Sequence, residues 1–115
     1  MKGGKELLLI FKSSGIGEGE PHLGEILMRN FLTALLDSGG APDRMIFMNS
    51  GVFLTTAGSS VADLLRQFEE RGTELFSCAT CLEYFDRKDK LIVGKASNMR
   101  ETVSAMLEFK RVITM

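Results

Sequence analysis

The chain has few of the residues that usually announce a chemistry. In 115 residues there are two cysteines, one histidine and two prolines. Two cysteines cannot make a disulfide framework. With one histidine they still leave a structural zinc site one ligand short unless a carboxylate joins them, so no metal is expected. The chain has no excess of positive charge. A net charge of −1 and a pI near 5.8 argue against a nucleic-acid surface. Long hydrophobic runs are also missing. Lys2 and Lys5 precede the apolar run Leu7 to Phe11, which is far below the roughly 20 residues of a membrane span. Neither a linker nor an internal repeat nor a low-complexity tract interrupts the chain. These absences predict a protein of the reducing cytoplasm with no membrane or nucleic-acid partner.

What is present is ordinary in bulk and regular in order. Hydrophobic residues make up 44% and charged residues 25%, enough for a single domain over residues 1–115 with its own core. Five short apolar runs stand at Leu7–Phe11, Met45–Met48, Leu75–Cys78, Leu91–Val93 and Val112–Thr114. They are continuous rather than alternating, as strands covered on both faces require. Helical spacing lies between them, with Leu23, Ile26, Leu27, Phe31, Ala34 and Leu35 in the first long segment. Gly39, Gly40 and Pro42 end that segment. Ser60-x-x-Asp63 and Asn98-x-x-Glu101 have the form of capping boxes ahead of two further helices. The expected fold is α/β: a three-layer α/β/α sandwich around a mainly parallel five-stranded sheet. Ligands of such sheets bind beyond the carboxyl ends of the strands. The loops expected there are 12–20, 49–58, 79–90 and 94–97.

Three motifs fall on that edge. The first is Ser13-Ser14-Gly15-Ile16-Gly17-Glu18-Gly19-Glu20, followed by Pro21. It resembles a phosphate turn, but the third glycine of GxGxxG would fall at position 20, where Glu20 stands, and no Walker pattern is present. Glu18 and Glu20 also place carboxylates where an anion would sit. Gly15 and Gly17 are therefore expected to shape tight backbone, either structurally or at an active-site edge. His22, in the first turn of the first long helix, is either a surface residue or a proton carrier near that edge. The second motif is the turn Asn49-Ser50-Gly51, which can offer backbone N–H donors. The apolar trio Val52-Phe53-Leu54 follows it and suits either packing onto the domain's own edge or an oligomer contact.

The third motif is Cys78-Ala79-Thr80-Cys81, at the end of the third run. A short helix is expected at Cys81–Arg87 with Thr80 as its cap. Such a position lowers a thiol's pKa. A thioredoxin-like role is disfavoured because the motif follows the third strand and neither Pro21 nor Pro42 can serve as its cis-proline partner. Incidental burial, a dithiol switch and a sulfur-transfer nucleophile remain open.

The sequence Leu75-Phe76-Ser77-Cys78-Ala79-Thr80-Cys81-Leu82-Glu83-Tyr84-Phe85, followed by Lys88-Asp89-Lys90-Leu91 and Gly94, resembles the DsrE-like domain of the YedF selenium-metabolism branch of the DsrE/DsrF/TusD superfamily. His22 to Met28, Met48 to Val52 with Leu54 to Thr56, and Ser97 to Met99 extend the likeness over most of the chain. The resemblance implies a flavodoxin-like sandwich that assembles as a homo-oligomer, a trimer or hexamer. It implies a sulfurtransferase-like carrier that holds sulfur or selenium as a persulfide on a cysteine after strand three and needs no cofactor. Cys78 matches the superfamily's cysteine position and Cys81 the extra cysteine of the YedF-like branch. No Cys-Pro dipeptide of a TusA-like domain occurs here, so the donor or acceptor, such as a TusA-like protein, would act from another chain. The order of the two cysteines stays open: position favours Cys78, and a helix starting at Thr80 would favour Cys81. The expected site is Cys78 and Cys81, with Gly15, Gly17, His22, Asn49, Ser50, Gly51 and Thr80 along its edge. A dithiol redox switch and a non-catalytic binding module are the rival readings.

Overall fold

The computed structural model describes residues 4–115. Five strands form one sheet in the order β4-β3-β2-β1-β5, and every pairing is parallel. The strands are β1 (Leu7–Phe11), β2 (Arg44–Phe47), β3 (Glu74–Cys78), β4 (Lys95–Ser97) and β5 (Arg111–Thr114). The helices are α1 (Pro21–Asp37), α2 (Ala62–Glu70), α3 (Ala79–Tyr84) and α4 (Met99–Glu108), and a 3₁₀ segment runs over Asn49–Leu54. This is the expected mainly parallel three-layer arrangement.

Alternation along the strands sorts the core into two layers. Leu9, Phe11, Met45, Phe47 and Leu75 meet α1 and α2 through Met28, Leu32, Leu36, Leu65 and Phe68. Leu8, Ile10 and Ile46 meet Ala105 and Phe109 of the α4 segment on the opposite face. Phe11 and Phe47 stack across β1 and β2 with centroids 5.1 Å apart. The central strands are therefore apolar on both sides, which is why their runs are continuous.

One strand lies elsewhere than expected. Leu91–Val93 is not strand four. Leu91 makes an isolated antiparallel bridge with Thr56, and the backbone N–H groups of Ile92 and Val93 both donate to the Thr55 carbonyl. The chain then turns at Gly94, whose φ is +72° and where any side chain would collide with the Leu75 carbonyl. Only beyond this turn does it pair with β3, at Lys95–Ser97. That edge strand carries a polar sequence, as edges commonly do, and so has no hydrophobic signature.

The helix caps are partly as expected. Asn98 caps α4 by accepting from the Glu101 N–H at 2.9 Å, while the Glu101 carboxylate accepts from the Ser97 hydroxyl at 2.8 Å. The Ser60/Asp63 box does not form. Val61 is the N-cap of α2, and its own N–H donates to the Ser59 hydroxyl. Asp63 instead accepts from Arg29 at 3.2 Å, tying α2 to α1, and this hydrogen bond holds its carboxyl below the ordinary range. Arg29 also donates to the Ser60 carbonyl, which occupies the segment that would have capped the helix.

A candidate sulfur site

The sheet sets the two cysteines at its carboxyl edge. Cys78 is the last residue of β3 and the N-cap of α3, so the helix begins at Ala79 rather than at Cys81 and Thr80 is not its cap. The helix ends at Tyr84, ahead of Asp86 in the left-handed region at φ +56°, and so does not reach Arg87. Cys81 is the third helical residue, one turn from Cys78, and neighbours at this spacing lie about 5–6 Å apart at Cβ. Both thiols are free, and neither is in a disulfide.

Their surroundings differ. Cys78 is buried at 6% exposure and Cys81 is half-buried. Burial pushes the Cys81 thiol above its ordinary pKa, and the neighbouring Cys78 thiol adds to that rise. The backbone N–H of Asn49 opposes it by donating to Cys81 Sγ at 3.1 Å. Asn49 opens the 3₁₀ segment in the left-handed region at φ +52°, a conformation that asparagine tolerates better than most residues. This turn is anchored on β1, where the Met48 N–H donates to the Phe11 carbonyl at 2.9 Å.

An open groove of about 440 Å³ lies over Cys81, lined by Asn49, Thr80, Cys81, Tyr84 and Phe85. Cys78 does not line it. Tyr84 is 82% exposed and meets Phe85 edge-on at 5.2 Å, and Phe85 in turn meets Phe53 at 4.8 Å. The Arg87 guanidinium covers Phe53 at 4.6 Å and donates to the Ala57 carbonyl at 2.9 Å.

The expected edge residues separate into groups. Asn49 and Thr80 join Cys81 at the groove. Gly51 is buried against β1 and Ser50 is half-buried, and neither lines the groove. Gly15 and Gly17 line a different hollow of about 260 Å³ with Ser13, Pro21, Gly24 and Glu25. There Gly15 lies against Gly24, and Glu20 caps α1 by accepting from the His22 N–H. His22 is exposed, 3.9 Å from Glu25, and lines neither space. The apolar trio turns inward: Val52 and Leu54 are buried and only Phe53 is half-buried.

Sequence reasoning missed the aromatic wall of Tyr84 and Phe85, although both lie about one helical turn beyond Cys81 and so could have been placed beside it. Among the described residues, no three His, Cys, Asp or Glu side chains are gathered as metal ligands would be. No described helix is long and apolar enough to cross a membrane.

No family model and no curated protein matches the chain. Solved structures do. The crystal structure of the ychN protein from E. coli superposes with a TM-score of 0.72 at 16% identity, covering 97% of this chain and all of that one. The protein of unknown function MTH1491 from Methanobacterium thermoautotrophicum superposes with a TM-score of 0.68 at 13% identity over the same shares. The fold is DsrE-like. The DsrE-like sandwich places Cys78 and Cys81 at the carboxyl edge of its sheet, where open α/β sheets bind ligands.

Proposed function

We propose that this protein is a sulfurtransferase-like carrier of the YedF-like branch that holds sulfur, or selenium, as a persulfide on its Cys78/Cys81 pair. It passes the atom to a partner protein such as a TusA-like one. The observation that carries this reading is the pairing of two free thiols one turn apart, one of them opening into a groove with a backbone N–H on its sulfur. Sulfur moves between such groups by thiolate attack on the outer sulfur of a persulfide, and the bond broken is replaced by an equivalent one. The scheme uses no cofactor and fits a reducing cytoplasm, where the thiols stay free.

The homo-oligomer, trimer or hexamer, belongs to the same proposal. Val52–Leu54 no longer supports it, because Val52 and Leu54 lie in the domain's own core. Support comes instead from the outer row of α4, where Met99, Val103, Met106 and Leu107 are exposed at i, i+4, i+7 and i+8. A dithiol redox switch is the second reading, favoured by two free thiols one helical turn apart.

The test is transfer. Protein incubated with a persulfide donor and freed of excess should give up one sulfane sulfur per chain to an acceptor thiol protein. Recovery of a Cys78–Cys81 disulfide in wild type, with no transferable sulfur on either single-serine variant, would instead favour the switch.

A further inference from the structure

The carrier reading leaves open which thiol meets the donor, and superfamily position favours Cys78. The surroundings of the two thiols argue the reverse. An incoming persulfide needs a clear approach to the attacking sulfur. Cys78 is 6% exposed and lies outside the lining of the groove of about 440 Å³, whereas Cys81 is half-buried and lines it. A sulfur that carries charge also needs a donor aimed at it. Cys81 Sγ has the Asn49 N–H at 3.1 Å, and a hydrogen bond to a charged acceptor is stronger than a neutral one.

We propose that Cys81 takes sulfur from the donor, that Asn49 is its positioning residue through the backbone N–H, and that the buried Cys78 is the resolving thiol. This assignment rests on the carrier reading.

In the loading step the Cys81 thiolate attacks the outer sulfur of a donor R–S–SH. The new bond joins Cys81 Sγ to that sulfur. The donor S–S bond breaks and its electron pair leaves on R–S⁻, giving Cys81–S–SH. The Asn49 N–H holds the charge on Cys81 Sγ before the attack, and the persulfide then loses its proton to solvent. Delivery to an acceptor thiolate repeats the same exchange in reverse. Where no acceptor arrives, the Cys78 thiol returns a proton to the persulfide and, as the thiolate, attacks Cys81 Sγ. A Cys78–Cys81 disulfide forms and HS⁻ leaves, so two thiols are oxidised as the sulfane sulfur is reduced to sulfide. A thiol reductant resets the pair by exchange.

Burial keeps Cys81 protonated at rest, and this fits the assignment. A thiol of higher pKa is the stronger nucleophile once ionised, and the smaller thiolate fraction limits its oxidation between transfers.

The experiment loads native wild-type protein, Cys78→Ser and Cys81→Ser with inorganic polysulfide, alkylates the product and locates the sulfur by peptide mass. Sulfur on Cys81 in wild type and in Cys78→Ser, held longer in the latter, with little loading of Cys81→Ser, is the expected result. Sulfur on Cys78 in wild type overturns the assignment while leaving the carrier intact. No sulfur on either cysteine overturns both. Wild-type mapping keeps the test valid if a serine variant folds poorly.

The Asn49 role is read separately from the pH profile of Cys81 alkylation. Asn49→Gly keeps both the N–H and the positive φ and should leave the profile in place. Asn49→Val, strained at φ +52°, should move it to higher pH and slow loading about tenfold, as expected for losing a hydrogen bond to a charged sulfur. An unchanged profile in Asn49→Val removes Asn49 from the scheme.

Discussion

Gly51 lies so close to β1 that a Cβ built on it would stand 2.5 Å from the carbonyl oxygen of Phe11. The 3₁₀ segment can rest on the strand only because position 51 has no side chain. That segment begins at Asn49, whose N–H reaches the Cys81 sulfur. A backbone contact two residues away thus helps set where Asn49 meets the Cys81 sulfur.

Gly51→Ala should therefore destabilise the protein by about 1–3 kcal/mol, the usual cost of overpacking a tight contact. It should also slow alkylation of Cys81, since the segment must lift from β1 and carry Asn49 with it. Denaturant midpoints and alkylation rates check both effects. A variant with wild-type stability would show that the segment can shift freely.

Arg44 joins the sheet to α4. Its Nε and Nη2 both donate to Glu74 Oε1, at 3.1 and 2.9 Å, and the guanidinium lies 4.9 Å from the Phe76 ring centroid and 5.3 Å from that of Phe109. Lysine keeps the charge but loses the planar fork and the stacking. Arg44→Lys is expected to cost about 1–2 kcal/mol in unfolding free energy. Wild-type stability in this variant would mean that charge alone carries the interaction.

The raised Cys81 pKa has a sign in stability. The folded thiol keeps its proton to higher pH than the unfolded one, mainly because burial penalises the thiolate. Its contribution is full below the ordinary thiol pKa and is lost as pH rises through the folded value. Wild type should lose stability more steeply than Cys81→Ser from about pH 8.5 upward. Parallel curves would show that the thiol is not penalised in the folded state.

The architecture was legible where burial is two-sided. Leu7–Phe11, Met45–Met48 and Leu75–Cys78 are apolar because helices cover both faces, and that leaves a direct mark on the sequence. Lys95–Ser97 left none, being a polar edge strand of three residues. The more apolar Leu91–Val93 drew the assignment away from it, though its role is to close the turn at Thr55 and Thr56. Cys78 and Cys81 were legible as a pair at the sheet's edge. Their unequal burial was not, because it depends on α3 beginning at Ala79 and on the 3₁₀ segment approaching from β2. Those are tertiary facts, and local spacing does not encode them. The glycine loop, by contrast, shares the sheet edge but not the groove.

Sulfur uptake by the native fold is the central claim, and the intact mass of wild-type protein after exposure to a persulfide donor tests it most directly. The account predicts a gain of one sulfur atom per chain, removed again by an acceptor thiol and absent when Cys78 and Cys81 are both replaced by serine. A mass lower by two hydrogens in wild type with no sulfur gained by either folded single-serine variant, or no change at all in folded protein, would contradict it.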